Sequence, residues 1–302
     1  MVTSFLAALT LFQAASAPSG YVQTVTKPDG TFEVLTAAQR LVADGKPTIW
    51  LVGAMHIGAK PYYASLQRLL GYQDTVLFEG VRNGPKPVEP PAGTPKSKPV
   101  YQILSDAIGL DFQMNDIRYD NPKWKNADLT WTELEAMNKR GADNKPTQFE
   151  GVAALLDPNS PSAKMMGTML GMATPGMKEA IKLMIVKTVA QGGGGIIDPE
   201  TEKIILTARN KAVVDALDTA LTTPEPPRSI GVFYGAMHLN DLQQTLVSKY
   251  GYRLDEKRWF VAATADPKKV DASGQMMLNA VEQQLKTLRE KSAAPKPVGS
   301  PR

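Results

Sequence analysis

A tetrapeptide, Gly-Ala-Met-His, occurs twice in this chain, at Gly53–His56 and again at Gly235–His238. The chain contains only two histidines, and each of them closes one copy of the motif. A single histidine at a strand end is more often a hydrogen-bonded structural residue than a ligand. Two histidines that both belong to one repeated motif indicate a shared function, because imidazole is the commonest side-chain metal ligand and titrates near neutral pH.

Each copy follows a short apolar run, Thr48–Val52 before the first and Ser229–Tyr234 before the second. Runs rich in β-branched and aromatic residues that end at glycine are typical of buried strands that reach a tight turn. Both histidines are therefore predicted to lie just beyond the C-terminal end of a strand. In open α/β sheets this is the edge at which ligands bind.

The residues after the first motif predict a β-α-β unit. Pro61–Leu70 has apolar residues at helical spacing, with Gly71 as a C-cap. Thr75–Phe78 is a second strand, and Glu79 ends it. The two strands of such a unit are expected to be parallel, with a right-handed crossover.

The second motif is followed by a similar pattern. Asn240 is placed to cap a helix that ends near Gly251, and Trp259–Ala263 predicts the next strand. We therefore predict an α/β fold of duplicated β-α-β halves that share a mostly parallel sheet with flanking helices. The halves differ at Glu79, because the matching position near Ala262 has no acid.

The region between the two halves has a different sequence pattern, which predicts a helical insertion at about 100–195. It is preceded by a Pro- and Lys-rich segment, 83–99, which is typical of a flexible loop or lid. Within it, Thr132 and Glu135 have the spacing of a capping box at the start of a short helix. The Met-rich segment 165–184 is more often core than a partner-binding surface.

The two ends of the chain have their own signals. Residues 1–19 resemble a secretory signal peptide, with an apolar core and an Ala-x-Ala-like site but no preceding Lys or Arg, and they predict an exported protein, periplasmic or secreted. Residues 20–292 are then one domain, which begins with a hairpin over 21–35 and ends with a helix over 273–291. The tail 293–302 is expected to be disordered.

Composition excludes several classes of protein. Of the 302 residues, 43% are hydrophobic and 21% charged, as in a soluble globular protein. The net charge of +4 is mild and no basic stripe is interleaved with aromatics, so nucleic acid is not an expected partner. No apolar run beyond the N-terminus approaches the ~20 residues of a membrane span. The absence of cysteine removes disulfides, thiolate ligands and cysteine nucleophiles.

Two histidines and one carboxylate are predicted to converge at this sheet edge. His56, His238 and Glu79 have the composition of a catalytic divalent-metal site that leaves a position open for water. In a metal-free alternative, Glu79 and one histidine act on water directly as general base and acid. Arg209, on a helix predicted over 202–217, is placed to pair with Glu79 or to stabilise an oxyanion if its helix faces this edge. Arg82 is a weaker candidate for the same role.

These residues together resemble the TraB/GumN/Tiki family. Its pattern is a pair of Gly-x-x-His motifs, a glutamate that ends the strand after the first, and an Arg-Asn pair on a helix ahead of the second. Here these are Gly53–His56, Glu79, Arg209-Asn210 and Gly235–His238, in the same order. Ala208 stands where an acidic residue is expected, a difference that leaves the ligand set intact.

The resemblance implies a duplicated α/β core of the group that includes the erythromycin esterase-like and ChaN-like proteins. For the Tiki branch it implies a metalloprotease that uses cobalt or manganese. We therefore expect an exported metal-dependent hydrolase of peptide or protein substrates, with manganese, cobalt or zinc on His56, His238 and Glu79, and Arg209 as a catalytic partner. A metal-independent esterase-like hydrolase and a haem- or ligand-binding protein remain the alternatives.

Overall fold

The computed structural model describes most of the chain, in six stretches. These are residues 20–82, 98, 100–139, 146–157, 160–189 and 198–293. The predicted signal peptide 1–19, the Pro-rich segment 83–99 except Lys98, and the tail from 294 onward lie outside the described residues.

The described residues contain nine strands and eleven α-helices. The strands are β1 (Val22–Thr26), β2 (Phe32–Val42), β3 (Thr48–Ala54), β4 (Ile57–Gly58), β5 (Thr75–Phe78), β6 (Asp111–Phe112), β7 (Trp124–Asn126), β8 (Ser229–Gly235) and β9 (Arg253–Ala265). The helices are α1 (Lys60–Gly71), α2 (Val100–Ile108), α3 (Gln113–Asp116), α4 (Trp131–Met137), α5 (Gln148–Leu156), α6 (Pro161–Met172), α7 (Pro175–Val189), α8 (Pro199–Glu202), α9 (Arg209–Thr222), α10 (Leu239–Tyr250) and α11 (Ala272–Ala293).

Seven of the strands form one mixed sheet. Its order is β1-β2-β3-β8-β5-β7, and β9 also pairs with β2. The pairs β3–β8, β8–β5 and β5–β7 are parallel, whereas β2 is antiparallel to β1, β3 and β9. It follows that β2 runs opposite to the other six strands. The predicted α/β class with a mostly parallel sheet and flanking helices is confirmed.

The predicted N-terminal hairpin is confirmed. β1 and β2 pair antiparallel, and the turn between them places Gly30 at φ 89°, a conformation that glycine adopts without the steric cost of a side chain. β2 continues beyond this hairpin, so that 32–36 pair with β1 and 38–41 pair with β3. β9 pairs with the other edge of β2 along 32–42.

The strand order differs from the simplest β-α-β arrangement. β3 and β5 point the same way, but β8, which carries the second histidine motif, lies between them. β9 does not pair with β8; its partner is β2. The two motif-bearing strands are therefore direct neighbours, whereas duplication of the halves stays a prediction.

Three predicted helix caps are wrong by one to a few residues. Gly71 is the last residue of α1, and Tyr72 follows it in the right-handed helical region. Asn240 does not cap α10, because the chain is already in a 3₁₀ turn at 236–238 and the Asn240 side chain accepts the Gly20 N–H. The capping box of α4 uses Thr130 and Glu133, two residues before the predicted pair Thr132 and Glu135.

The region 100–189 is only in part the predicted helical insertion: its described residues form the helices α2 to α7, but also β6 and β7, and β7 belongs to the main sheet. Its Met-rich part is divided between core and surface. Met166 and Met184 are buried, whereas Met165, Met169 and Met172 are exposed. None of the helices among the described residues is both long enough and apolar enough to cross a membrane.

Candidate active site

The two histidine motifs meet at one edge of the sheet because β3 and β8 are parallel neighbours. Gly53 is in register with Tyr234, and Ala54 with Gly235. The contact is close: a Cβ on Gly53 would lie 3.1 Å from the Cβ of Ala236. β5 ends at the same edge, so Glu79 follows directly beside β8 and its N–H donates to the Phe233 carbonyl at 2.9 Å.

His56 is oriented by Gln113, the first residue of α3. The Gln113 Oε1 lies 3.2 Å from the His56 Nδ1, and the Gln113 backbone N–H donates to the His56 carbonyl at 2.9 Å. The Gln113 Nε2 donates to the Tyr119 hydroxyl at 2.8 Å, which leaves Oε1 for the histidine. The ring of Tyr101 packs against the imidazole with centroids 5.1 Å apart.

His238 is oriented in the same way by Asn210 on α9. The Asn210 Oδ1 lies 2.7 Å from the His238 Nδ1. The Asn210 Nδ2 faces the His238 carbonyl and the Asp241 carboxylate, both at 3.4 Å. Since both of these are acceptors, the amide nitrogen must face them and the amide oxygen must face the imidazole.

These contacts set the same tautomer for both rings. An amide oxygen can only accept, so the proton of each neutral imidazole sits on Nδ1 and the lone pair on Nε2. Partners of this kind fix the ring orientation of metal-binding histidines in other proteins. The sequence pattern pointed to His56 and His238, but it did not identify Gln113 or a role for Asn210.

Glu79 is buried and bonded through both of its oxygens. Its Oε1 accepts from the Arg209 Nη2 at 2.6 Å, and its Oε2 accepts from the Gly235 N–H. The same Oε1 lies 3.7 Å from the His238 Nε2. The predicted helix therefore faces this edge, and Arg209 reaches Glu79.

Asp128 completes the charged cluster and was not anticipated from the sequence. Its Oδ1 accepts from the Arg209 Nε at 3.0 Å and its Oδ2 from the Arg209 Nη2 at 2.6 Å. The N–H groups of Gly80 and Leu129 donate to the same carboxylate at 2.9 and 2.8 Å. Asp128 lies just beyond β7, which pairs with β5, so its position follows from the same strand-end rule as that of Glu79.

The charges and their burial determine the protonation states. Burial alone raises the pKa of Glu79, but the Arg209 guanidinium, with help from the Gly235 N–H, lowers it far below its ordinary value. Burial lowers the pKa of His238 to about 4, although the Glu79 charge opposes this. At neutral pH Glu79 is therefore ionised and His238 is neutral.

A π-helical segment, Lys203–Ala208, lies immediately before Arg209. It joins α8 to α9 in one continuous helical path, where a single regular helix was expected from the sequence. Such segments occur often at functional sites because they shift the faces of the helix that follows. Here Arg209 and Asn210 follow the segment and reach Glu79 and His238, respectively.

A cavity of about 310 Å³ opens above these groups. His56, Glu79, Gln113, Arg209 and His238 line one part of it, and apolar side chains line most of the remainder. Arg82 is not part of the lining: its side chain is exposed, and its backbone bridges to Thr130.

The donor set suits a divalent cation. Two carboxylates and one guanidinium leave one negative charge uncompensated. The neutral His238 Nε2 and the ionised Glu79 Oε1, both acceptors, lie 3.7 Å apart, within the span of two ligands that each bind one ion at ~2.0–2.2 Å. Among the described residues, no three His, Asp or Glu side chains already converge as a complete ligand group. These residues therefore suit a divalent metal ion in the type of their donor atoms, in their net charge and in the spacing of one ligand pair.

No protein-family model matches this chain, and no curated protein or solved structure matches it significantly.

Proposed function

We propose that this chain is an exported, metal-dependent hydrolase that cleaves peptide bonds. His56, His238 and Glu79 would hold a divalent metal ion, with manganese, cobalt and zinc as the candidates. The observation that carries the proposal is the pair formed by neutral His238 Nε2 and ionised Glu79 Oε1 at 3.7 Å, two acceptors that face each other beside a cavity. The motif pattern of the TraB/GumN/Tiki family supports the same assignment.

When bound, a divalent ion lowers the pKa of water and polarises a substrate carbonyl. The residues of the chain contribute orientation and charge. Asn210 and Gln113 fix the two imidazoles through Nδ1, so that each neutral ring presents the lone pair of its Nε2. The low pKa of Glu79 keeps its carboxylate charged and makes it a weak general base, which counts against the metal-free esterase mechanism.

Arg209 would stabilise negative charge that develops on the substrate. Its Nε and Nη2 are bonded to Asp128 and Glu79, whereas none of the described residues accepts a hydrogen bond from its Nη1. Arg209 also lines the cavity. A buried, preorganised N–H donor of this kind is worth about 10²–10³ in rate at other hydrolytic sites.

The test is the metal content of untagged wild-type protein beside the His56→Ala/His238→Ala double variant. Since the chain has no other histidine, this variant removes every imidazole. We expect near-stoichiometric metal in the wild type, loss of metal in the folded variant, and peptidase activity that a chelator removes. Asp215→Asn, an exposed residue of α9, is the matched control. Equal and negligible metal in both proteins, after incubation with manganese, cobalt and zinc, would overturn the proposal.

One observation favours a second candidate, a haem- or ligand-binding protein. The cavity beside the two histidines is lined mainly by apolar residues, as expected for a site that binds an apolar ligand. Addition of haemin to the purified protein tests this candidate. A Soret band that His56→Ala or His238→Ala removes would support it, whereas absence of the band would exclude haem. Activity that persists in chelator would instead favour the metal-independent esterase.

The proposal that the protein is exported rests on the sequence of residues 1–19 alone. Expression of the full sequence in a bacterial host, followed by N-terminal sequencing of protein from the periplasm or medium, tests this part. A mature N-terminus near residue 18 is expected, and full-length chain confined to the cytoplasm would contradict it.

A further inference from the structure

We propose that the apolar part of the cavity is a specificity pocket for a large uncharged side chain, aromatic or branched aliphatic, beside the bond that is cleaved. This inference rests on the proposed hydrolase function and adds a substrate class to it. The pocket wall, as we use the term below, consists of Val81, Trp131, Leu134, Phe149, Ile205 and Leu206.

The pocket wall is built on the same elements as the charged cluster. Val81 lies two residues beyond Glu79 on the path that continues β5. Arg82, next along this path, pairs through its backbone with the chain on either side of Thr130, where α4 and its Trp131 begin. At about 3.3 Å per extended residue, the wall therefore begins within roughly 10 Å of Glu79 along the chain.

The helical path before Arg209 contributes two further residues of the pocket wall. Ile205 and Leu206 belong to the π-helical segment that leads directly into Arg209. All three residues line the cavity. A substrate whose reacting carbonyl lies near Arg209 would thus have an adjacent side chain against Ile205 and Leu206.

The pocket wall is preformed and separate from the main core. The Trp131 and Phe149 rings stack with centroids 5.6 Å apart and an interplanar angle of 23°. Leu134, Phe149 and Ile204 form a small apolar cluster of their own, distinct from the large core around the sheet. The capping box of Thr130 and Glu133 fixes the start of α4. An apolar surface that lies outside the main core and lines a cavity is suited to ligand contact.

The charges in the cavity argue against a charged side chain in the pocket. Arg209 is the only positively charged side chain among the described lining residues, and it already forms ion pairs with Asp128 and Glu79. A lysine or aspartate side chain placed against the pocket wall would lose its hydration, because none of the six wall residues carries a charge. An aromatic side chain, in contrast, gains from the apolar area that it buries, by about 10- to 100-fold in affinity relative to glycine.

The experiment measures binding without turnover. N-acetyl amides of phenylalanine, leucine, lysine and glycine are titrated into the full chain, with metal and without, and followed by tryptophan fluorescence and NMR. We expect the phenylalanine and leucine amides to bind at least about 10-fold more tightly than the lysine and glycine amides. Equal affinity for the four amides would overturn the inference.

A filling variant locates the site of binding. Ile205→Phe adds volume to a partly buried wall position, and we expect it to weaken binding of the phenylalanine amide about 10-fold. Leu221→Phe, a partly buried residue near the end of α9 that does not line the cavity, is the matched control. Selective binding that Ile205→Phe leaves unchanged would place the apolar site elsewhere and overturn the inference.

Failure of this inference and failure of the proposed function are distinguishable. Loss of metal binding and of peptidase activity, with the amide selectivity intact, would leave the pocket in place and indicate a ligand-binding protein. Peptidase activity with equal kcat/KM for phenylalanine- and glycine-containing substrates would keep the hydrolase and reject the pocket.

Discussion

Asp128 accepts two hydrogen bonds from the guanidinium of Arg209, from Nε at 3.0 Å and from Nη2 at 2.6 Å, and its side chain is fully buried. This pairing fixes the plane of the guanidinium and so directs Nη2 towards Glu79. It also supplies the second negative charge of the cluster. A carboxylate that does not line the cavity thus determines the position of Arg209 and contributes to the net charge of the candidate site.

Asp128→Asn is expected to destabilise the fold by about 3 kcal/mol, because it leaves a buried guanidinium without one of its two charged partners. The new amide N–H₂ would also face N–H donors, since both carboxylate oxygens accept hydrogen bonds. Urea unfolding of the two proteins measures the difference. Asp215→Asn, which removes an exposed ion pair with Lys211, should change stability by about 0.5 kcal/mol or less. A similar small loss for Asp128→Asn would contradict the role given to this residue.

The orientation of His56 by Gln113 predicts a tautomer that NMR can read. With only two histidines, long-range ¹H–¹⁵N spectra of the metal-free protein at pH 7 show two ring systems. Both are expected as the Nδ1–H form, which is the less common tautomer of free histidine. Gln113→Leu removes the acceptor for His56 and should release its ring from this form while that of His238 keeps it.

The same variant is expected to lower metal affinity about 10- to 100-fold, the usual effect of losing a residue that orients a ligand. Gln244→Leu, an exposed position of α10, controls for the general effect of the substitution. An unchanged His56 spectrum and unchanged affinity in Gln113→Leu would show that Gln113 does not position the ring.

A pH titration of the metal-free protein is expected to find His238 neutral down to about pH 4, because burial lowers its pKa to about 4. The charged groups that face it are Glu79, Arg209 and Asp128, with His56 nearby. Between the ordinary pKa near 6.5 and this value, the unfolded chain binds more protons than the folded one. The stability contributed by neutral His238 is therefore complete above pH 6.5 and is lost as the pH falls to 4, by about 3 kcal/mol.

The ring carbon-proton shifts of His238 measure this directly, and urea unfolding at pH 7, 5.5 and 4.5 measures its energetic consequence. His238→Gln removes the titration and should flatten the pH dependence between 6.5 and 4.5. Protonation of His238 near pH 6.5 in the wild type would show that the ring is solvated rather than buried.

Local sequence signals were sufficient to find the strand ends that carry the candidate site. An apolar run followed by glycine defines β3 and β8, and the short run before Glu79 defines β5, because burial on both faces requires continuous apolar residues. The order of these strands in the sheet could not be predicted from such local signals. That β8 lies between β3 and β5 depends on contacts between residues far apart in the chain, for which a single sequence has no periodic signal.

The site residues that the sequence does not identify lack a local sequence signal, each for a different physical reason. Asp128 follows a strand of only three residues, too short to show alternation, although it stands at the same sheet edge as Glu79. Gln113 acts through one amide oxygen at the start of a four-residue helix, which no motif marks. The pair Thr132 and Glu135 has the same spacing as Thr130 and Glu133, and only the backbone pairing with Arg82 fixes the start of α4 at Thr130.

The contact between the two motif copies predicts opposite effects for one substitution at two glycines. In Gly53→Ala the new Cβ would lie 3.1 Å from both the Ala236 Cβ and the Ala37 carbonyl oxygen, atoms that cannot move without shifting a strand. We expect a loss of about 1–3 kcal/mol in unfolding free energy from this overpacking. In Gly71→Ala the new Cβ meets nothing within 4 Å, and alanine favours the helical conformation, so stability should rise by up to about 1 kcal/mol. Urea unfolding of both variants measures the difference, and a Gly53→Ala protein as stable as wild type would show that β3 and the second motif do not pack this closely.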